Sequence, residues 1–268
     1  MATGVLAAAG WAVRPLEEPA WQAVKAGQPA LRLDSLQNAM GEGVTVGLLG
    51  GFRAIVADFF WIKAHAEWAH NDLPQTQSWL RTVTTVDPRP VYFWLEAARI
   101  MASDIPVWRI EEMERRGEVP AGVKQRIVEQ QGEIAIKYLE EALTYHPDVP
   151  NIYVDIAQIH LAKFKDVATA AEIYRQAAGL PNAPYFISRD YAYLLHRLGR
   201  VQEAYDWLVK LYPTLPKAPG DPGVENEVPE VRQASEFEIE VAQAPVVLGF
   251  IRDWEEELKI AVEKRFKP

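Results

Sequence analysis

Three stretches decide the fold: residues 133–147, EIAIKYLEEALTYHP; residues 169–181, TAAEIYRQAAGLP; and residues 201–213, VQEAYDWLVKLYP. Aligned on Ala135, Ala170 and Ala204 they recur at intervals of 35 and 34 residues. Their closing prolines, Pro147, Pro181 and Pro213, recur at 34 and 32. A period of this length marks stacked helical repeats, each unable to bury its apolar face alone. Seven residues after each alanine stand Ala142, Ala177 and Leu211, and four after each stand Leu139, Tyr174 and Leu208. Positions i, i+4 and i+7 share one helix face. The pattern therefore predicts helices that approach closely on small side chains, with a larger wedge between them.

Working outward, helices are predicted ahead of the second and third stretches at 151–165 and 185–198, an earlier pair at 58–70 and 75–86, and a further first helix at 91–103. No run alternates apolar and polar residues between hairpin turns, so the chain reads as all-α. Residues 1–45 are punctuated by glycine and proline and read as an arm, loosely ordered or of short helices. Residues 46–218 read as about four repeats and residues 219–230 as an acidic, proline-rich linker. Residues 231–268 read as C-terminal helices, about 230–244 and 245–266. In the last of these Val247, Ile251, Trp254 and Leu258 form an apolar stripe that caps the open end of the array.

Composition excludes much of the usual chemistry. The chain of 268 residues has a formal charge of −9, which argues against general nucleic-acid binding. It has no cysteine, so disulfides, thiolate metal sites and cysteine nucleophiles are impossible. His65 and His70 resemble a zinc helix, but five residues set them about 140° apart around it, too far to share a metal. Gly41, Gly43 and Gly47 mimic a dinucleotide loop with one residue too many and no βαβ unit around them. No phosphate loop and no nucleophile elbow is present. No enzyme activity, cofactor or metal is expected. The apolar run at 44–61, broken by Arg53 and Asp58, reads as a buried helix. The alternative is a membrane-touching segment aided by Trp11 and Trp21.

The repeats resemble the tetratricopeptide family. The match is closest over 194–208, LLHRLGRVQEAYDWL, with Gly199 at the turn and Ala204 in the second helix. The resemblance implies a right-handed helical solenoid in which a first helix, a turn and a second helix repeat. It also implies a long insert: Ala98 and Ala135 are 37 residues apart, 25 more than the family's spacing of 12. That insert falls at about 104–121 and carries Pro106, Trp108 and Pro120, and its end lengthens the next helix. If family geometry transfers, positions 2, 5, 9, 12 and 13 of each first helix line an inner groove, one stripe at spacings of 3 and 4. Counted from Val91, Asn151 and Tyr185, these positions bring together Tyr92, Arg99, Lys163, Phe186, Arg189, Tyr193, His196 and Arg197, with Asp155 as the one acid. Such a basic, aromatic groove suits an acidic protein partner.

A second signature lies between Leu49 and Ile110: GGFRAIVADFFW at 50–61, VDPRP at 86–90, YFW at 92–94 and DIPVWRI at 104–110. It is similar to the bacterial kinesin light chain type of tetratricopeptide protein, which accompanies bacterial tubulins. That resemblance implies a non-enzymatic cytoplasmic scaffold on bacterial tubulin filaments, with membrane contact as a further possibility. The alternatives are an adaptor for acidic peptide segments and a peripheral membrane protein.

Overall fold

The computed structural model describes residues 51–216, 243–260 and 264–267, and the regular structure among them is helical throughout. The expected arm at 1–45, the linker at 219–230 and nearly all of the helical stretch at 230–244 lie outside these residues. The chain divides into two compact units, Met1–Ala57 and Asp58–Pro268. Only residues 51–57 of the first are described.

The helices are α1 (Arg53–Ala69), α2 (Leu73–Val86), α3 (Val91–Arg99), α4 (Ile105–Glu114), α5 (Ala121–Leu143), α6 (Pro150–Ile159), α7 (Val167–Ala178), α8 (Tyr185–Arg197), α9 (Val201–Leu211) and α10 (Gln243–Glu257). Their ends reflect local chemistry. Asp72 caps α2 by accepting the Gln75 N–H, and Asp166 caps α7 by accepting the Thr169 N–H. Prolines stand at or beside the starts of α2, α5, α6 and α8, where the missing N–H costs nothing. Gly199, at φ +75°, takes the left-handed position between α8 and α9.

In Asp58–Pro268, α3 packs on α5 and α5 on α6; then α6, α7, α8 and α9 pack each on the next. This is the stacking of a tetratricopeptide-like solenoid. The aligned alanines sit where the period puts them: Ala135, Ala142, Ala170, Ala177 and Ala204 are wholly buried, as are Ala157 and Ala192 of the first helices. The wedges Leu139, Tyr174 and Leu208 are buried among them.

The structure departs from expectation in three places. First, α3 does not end before the insert. It passes through a π-helical turn, Ile100–Asp104, straight into α4, and Pro106 lies in the first turn of α4. The Ile105 N–H reaches back five residues to the Ile100 carbonyl, and this wider turn accommodates a proline that would break a continuous α-helix. Second, α6 continues into a matching π turn, His160–Phe164. Third, the last helix stops at Glu257 rather than near 266, because Lys259 turns left-handed at φ +55°. Within α10, Val247, Ile251 and Trp254 are buried as their stripe predicts, and the helix packs on α8 and α9. Glu255 is wholly buried there, accepting from Tyr205 (3.2 Å), Arg252 (2.9 Å) and the Phe266 N–H (2.5 Å).

Gly132 of α5 sets how near the second π turn can come. A β-carbon at that position would lie 3.1 Å from the Phe164 ring and 3.4 Å from Ile159. Gly132→Val should therefore lower unfolding stability in urea by about 1–3 kcal/mol through overpacking, despite valine's better helix propensity.

Candidate partner-binding groove

Two adjoining hollows lie along the first helices. The first, about 210 Å³, opens between α3 with its π turn and α6 with its own; Arg99, Ala102, Ser103, Asp155, Gln158, Ala162 and Lys163 are among its walls. The second, about 240 Å³, opens between α6 and α8, with Tyr174, Asp190, Tyr193 and Arg197 among its walls. Gln158 belongs to both, and its amide donates to the Tyr174 hydroxyl at 2.6 Å. The π turns are built at equivalent places: counted from Val91 and Asn151, each begins at the tenth residue. The extra residue in each turn displaces the side chains beyond it, and Ser103 and Lys163, which follow at equivalent places, both line the first hollow.

The eight residues singled out in the sequence divide. Arg99, Lys163, Tyr193 and Arg197 line the two hollows. Arg189 and His196 turn instead toward α10: Arg189 donates to Gln243 at 2.6 Å, and His196 stacks on Trp254 and hydrogen-bonds Glu257 at 2.7 Å. Tyr92 packs edge-on against Trp61 of α1, 5.6 Å away, and Phe186 lies against the α7–α9 core. Gln158 and Asp190 escape a reading confined to five positions per helix. The spacing 155, 158, 162 on one face could have found the first of them.

Charge in the groove is more balanced than the stripe alone suggests. Glu96 holds Arg99, and Asp190 holds Arg189 at 2.9 Å. Lys163 and Arg197 form no ion pair among the described residues, and they are the cations left for a ligand. Burial draws the Lys163 ammonium below the usual lysine range, and Lys165 adds to this while Asp104 opposes it. The Asp155 carboxyl is pushed up to about 6, chiefly by burial, then by Glu96, with Arg99 acting the other way. Among the described residues no group of three or more His, Asp or Glu could hold a metal ion. His65 lies against Trp61, while His70 lines a separate hollow with Trp108 and Met113. No helix among these residues is long and apolar enough to cross a membrane.

The second sequence signature does structural work. Asp87 and Arg89 pair at 2.7 Å in the α2–α3 turn, and the Pro88 carbonyl accepts from the buried Trp94 indole at 2.8 Å. The His146 ring lies 2.7 Å from the same carbonyl.

Residues 129–185 match the family model for the tetratricopeptide repeat, a span running from α5 to the start of α8. A solved structure described as "Functional Characterization of Pseudomonas Aeruginosa pilF" is similar at 16% identity, covering 79% of this chain and 94% of that one, with a TM-score of 0.30. No curated protein matches. The repeat match over 129–185 and the helix packing define a tetratricopeptide-like helical-repeat fold, an architecture whose stacked helices suit it to protein–protein interaction.

The raised Asp155 carboxyl has a consequence for stability. Its ordinary value is 3.8, so the folded state resists an ionisation that the unfolded state undergoes freely. The resulting cost is absent below about pH 3, grows as the pH rises between the two values, and is complete above about pH 7. Asp155→Asn should exceed the wild type in urea unfolding at pH 7.5, by clearly more than it does at pH 4. An equal difference at both pH values would refute the assignment.

Proposed function

We propose that this chain is a non-enzymatic cytoplasmic scaffold that binds an extended, acidic segment of a partner protein along the groove between α3, α6 and α8. One observation carries the reading: two side-chain-sized hollows adjoin at Gln158, and each presents a cation with no ion pair among the described residues, Lys163 in one and Arg197 in the other. Hollows of 210 and 240 Å³ suit successive side chains of a strand-like segment better than a flat folded surface. Gln158 uses its amide on Tyr174, which leaves its carbonyl to accept a backbone N–H. Asp155 opposes such a ligand only while ionised.

The kinesin-light-chain-like signature suggests a bacterial tubulin filament as the protein that carries the segment. An acidic filament surface suits the two cations in the hollows. The net charge of −9 makes any such contact sensitive to salt and orientation.

Two assays test this. A fluorescent Glu-rich peptide should bind the full chain, more tightly at pH 5.5 than at 7.5. Lys163→Glu with Arg197→Glu should weaken it by about tenfold or more. Co-sedimentation with preassembled bacterial tubulin filaments should be saturable and fade with salt. Peptide binding without pelleting would leave an acidic-peptide adaptor and remove tubulin. Failure of both assays would overturn the groove.

A further inference from the structure

Helix α1 carries apolar side chains on two faces. One is spent inside the fold: Phe60 stacks on Trp79 of α2 at 5.2 Å, and Trp61 packs on Phe93 of α3 at 5.1 Å. This corrects the reading of the run as a buried helix, because the other face is open. Phe59 is 54% exposed and Ile62 66%, and Ala66 and Ala69 are exposed beyond them. These positions are spaced 3, 4 and 3, and in the sequence the same register runs back through Ile55 and Phe52. Strict 3-4 spacing is the seam of one helix packed on another of the same pattern, narrower than the stripe of a helix lying on a broad core.

The flanks of the seam say which helix fits. With Phe59 at position a and Ile62 at d of a heptad, Asp58 stands at g and Lys63 at e, five residues apart. When two parallel helices pair, a g residue faces the e residue five further along its partner. A second copy of α1 in parallel would therefore set Asp58 against Lys63 twice, once on each side. An antiparallel pair would set each flank against its own kind. Asp58 and Lys63 are both exposed, and neither has an ion pair among the described residues. The Lys63 ammonium lies over the Phe59 ring, 5.9 Å from its centre, at the edge of the seam. A lipid surface would favour cations on both flanks, whereas one flank here is Asp58. From this complementarity we infer that α1 is a self-association surface, pairing two copies of the chain in parallel through Phe59, Ile62 and Ala66.

The test is sedimentation equilibrium of the full chain from micromolar to near-millimolar concentration, with circular dichroism confirming that each variant folds. Wild type should show a concentration-dependent dimer, and Ile62→Glu, at an exposed site outside the core, should be monomeric throughout. Asp58→Lys and Lys63→Asp should each weaken the dimer about fivefold, and the two together should restore it to within about twofold. Because the chain has no cysteine, Ile62→Cys is a clean reporter. Mild oxidation should cross-link it, since a parallel seam sets each d residue beside its copy. A monomeric wild type, a dimer indifferent to Ile62→Glu, or a double exchange no better than the single ones would overturn the inference. So would a monomer that sediments with phosphatidylglycerol vesicles through Ile62, which would give the face to lipid instead.

Discussion

The groove exists because the helices behind it meet through alanine. Ala135 and Ala142 of α5, Ala157 of α6, Ala170 and Ala177 of α7, Ala192 of α8 and Ala204 of α9 are all wholly buried. Helices that touch through methyl groups approach closely, and the rings and branched chains at the intervening positions fill the space this leaves. Tyr138, Tyr174 and Leu208 do that filling. A larger residue at any alanine would tilt one helix against the next. In a stacked array each tilt is passed on to every later repeat. The spacing between first helices, and with it the size of both hollows, is set by these small contacts at the back of the array.

The two π turns act on the front. A helix holding α geometry from end to end would present its groove residues in one regular stripe, as α8 does. In α3 and α6 an extra residue enters at the same point, and the side chains beyond it turn with respect to those before. Gly132 lets the second of these wide turns sit against α5, since any side chain there would meet Phe164. The same distortion serves a different end in α3, where it carries the helix past Pro106 and lets the insert's helix continue from it. One backbone device thus shapes the binding surface and joins an insert to the repeat without a loop.

What is legible in the sequence is what repeats. The alanine period locates the core positions, and a proline or an Asp at the helix ends locates boundaries well: α8 begins at Tyr185 and α2 ends at Val86, both as expected. The π turns are not legible, because a turn one residue wider has no apolar pattern of its own. The fate of Arg189 and His196 is not legible either. It depends on α10, more than forty residues further along the chain, and on a docking that no local spacing encodes. The pairing of Arg99 with Glu96 is within reach, three residues apart on one helix. A reading confined to groove-facing positions loses it, because a long side chain reaches beyond the stripe that bears it.

Electrostatics then decides what such a groove can select. A chain of net charge −9 repels an acidic partner that comes within about a screening length, so attraction must come from cations close to the contact. Most of the basic residues near the groove are already held: Arg99 by Glu96, Arg189 by Asp190, His196 by Glu257. These pairs keep their side chains in place and remove their charge from competition. Among the described residues Lys163 and Arg197 remain, one in each hollow, and Asp155 between helices α3 and α6 carries a carboxyl that is only partly ionised near pH 6. Two fixed points of positive charge on an otherwise acidic molecule give little affinity to acidic partners in general. They favour a segment whose acidic residues arrive in register with both hollows. Selection therefore rests on spacing along the partner more than on its total charge, because repulsion at close approach discards any acidic surface that cannot reach both cations at once.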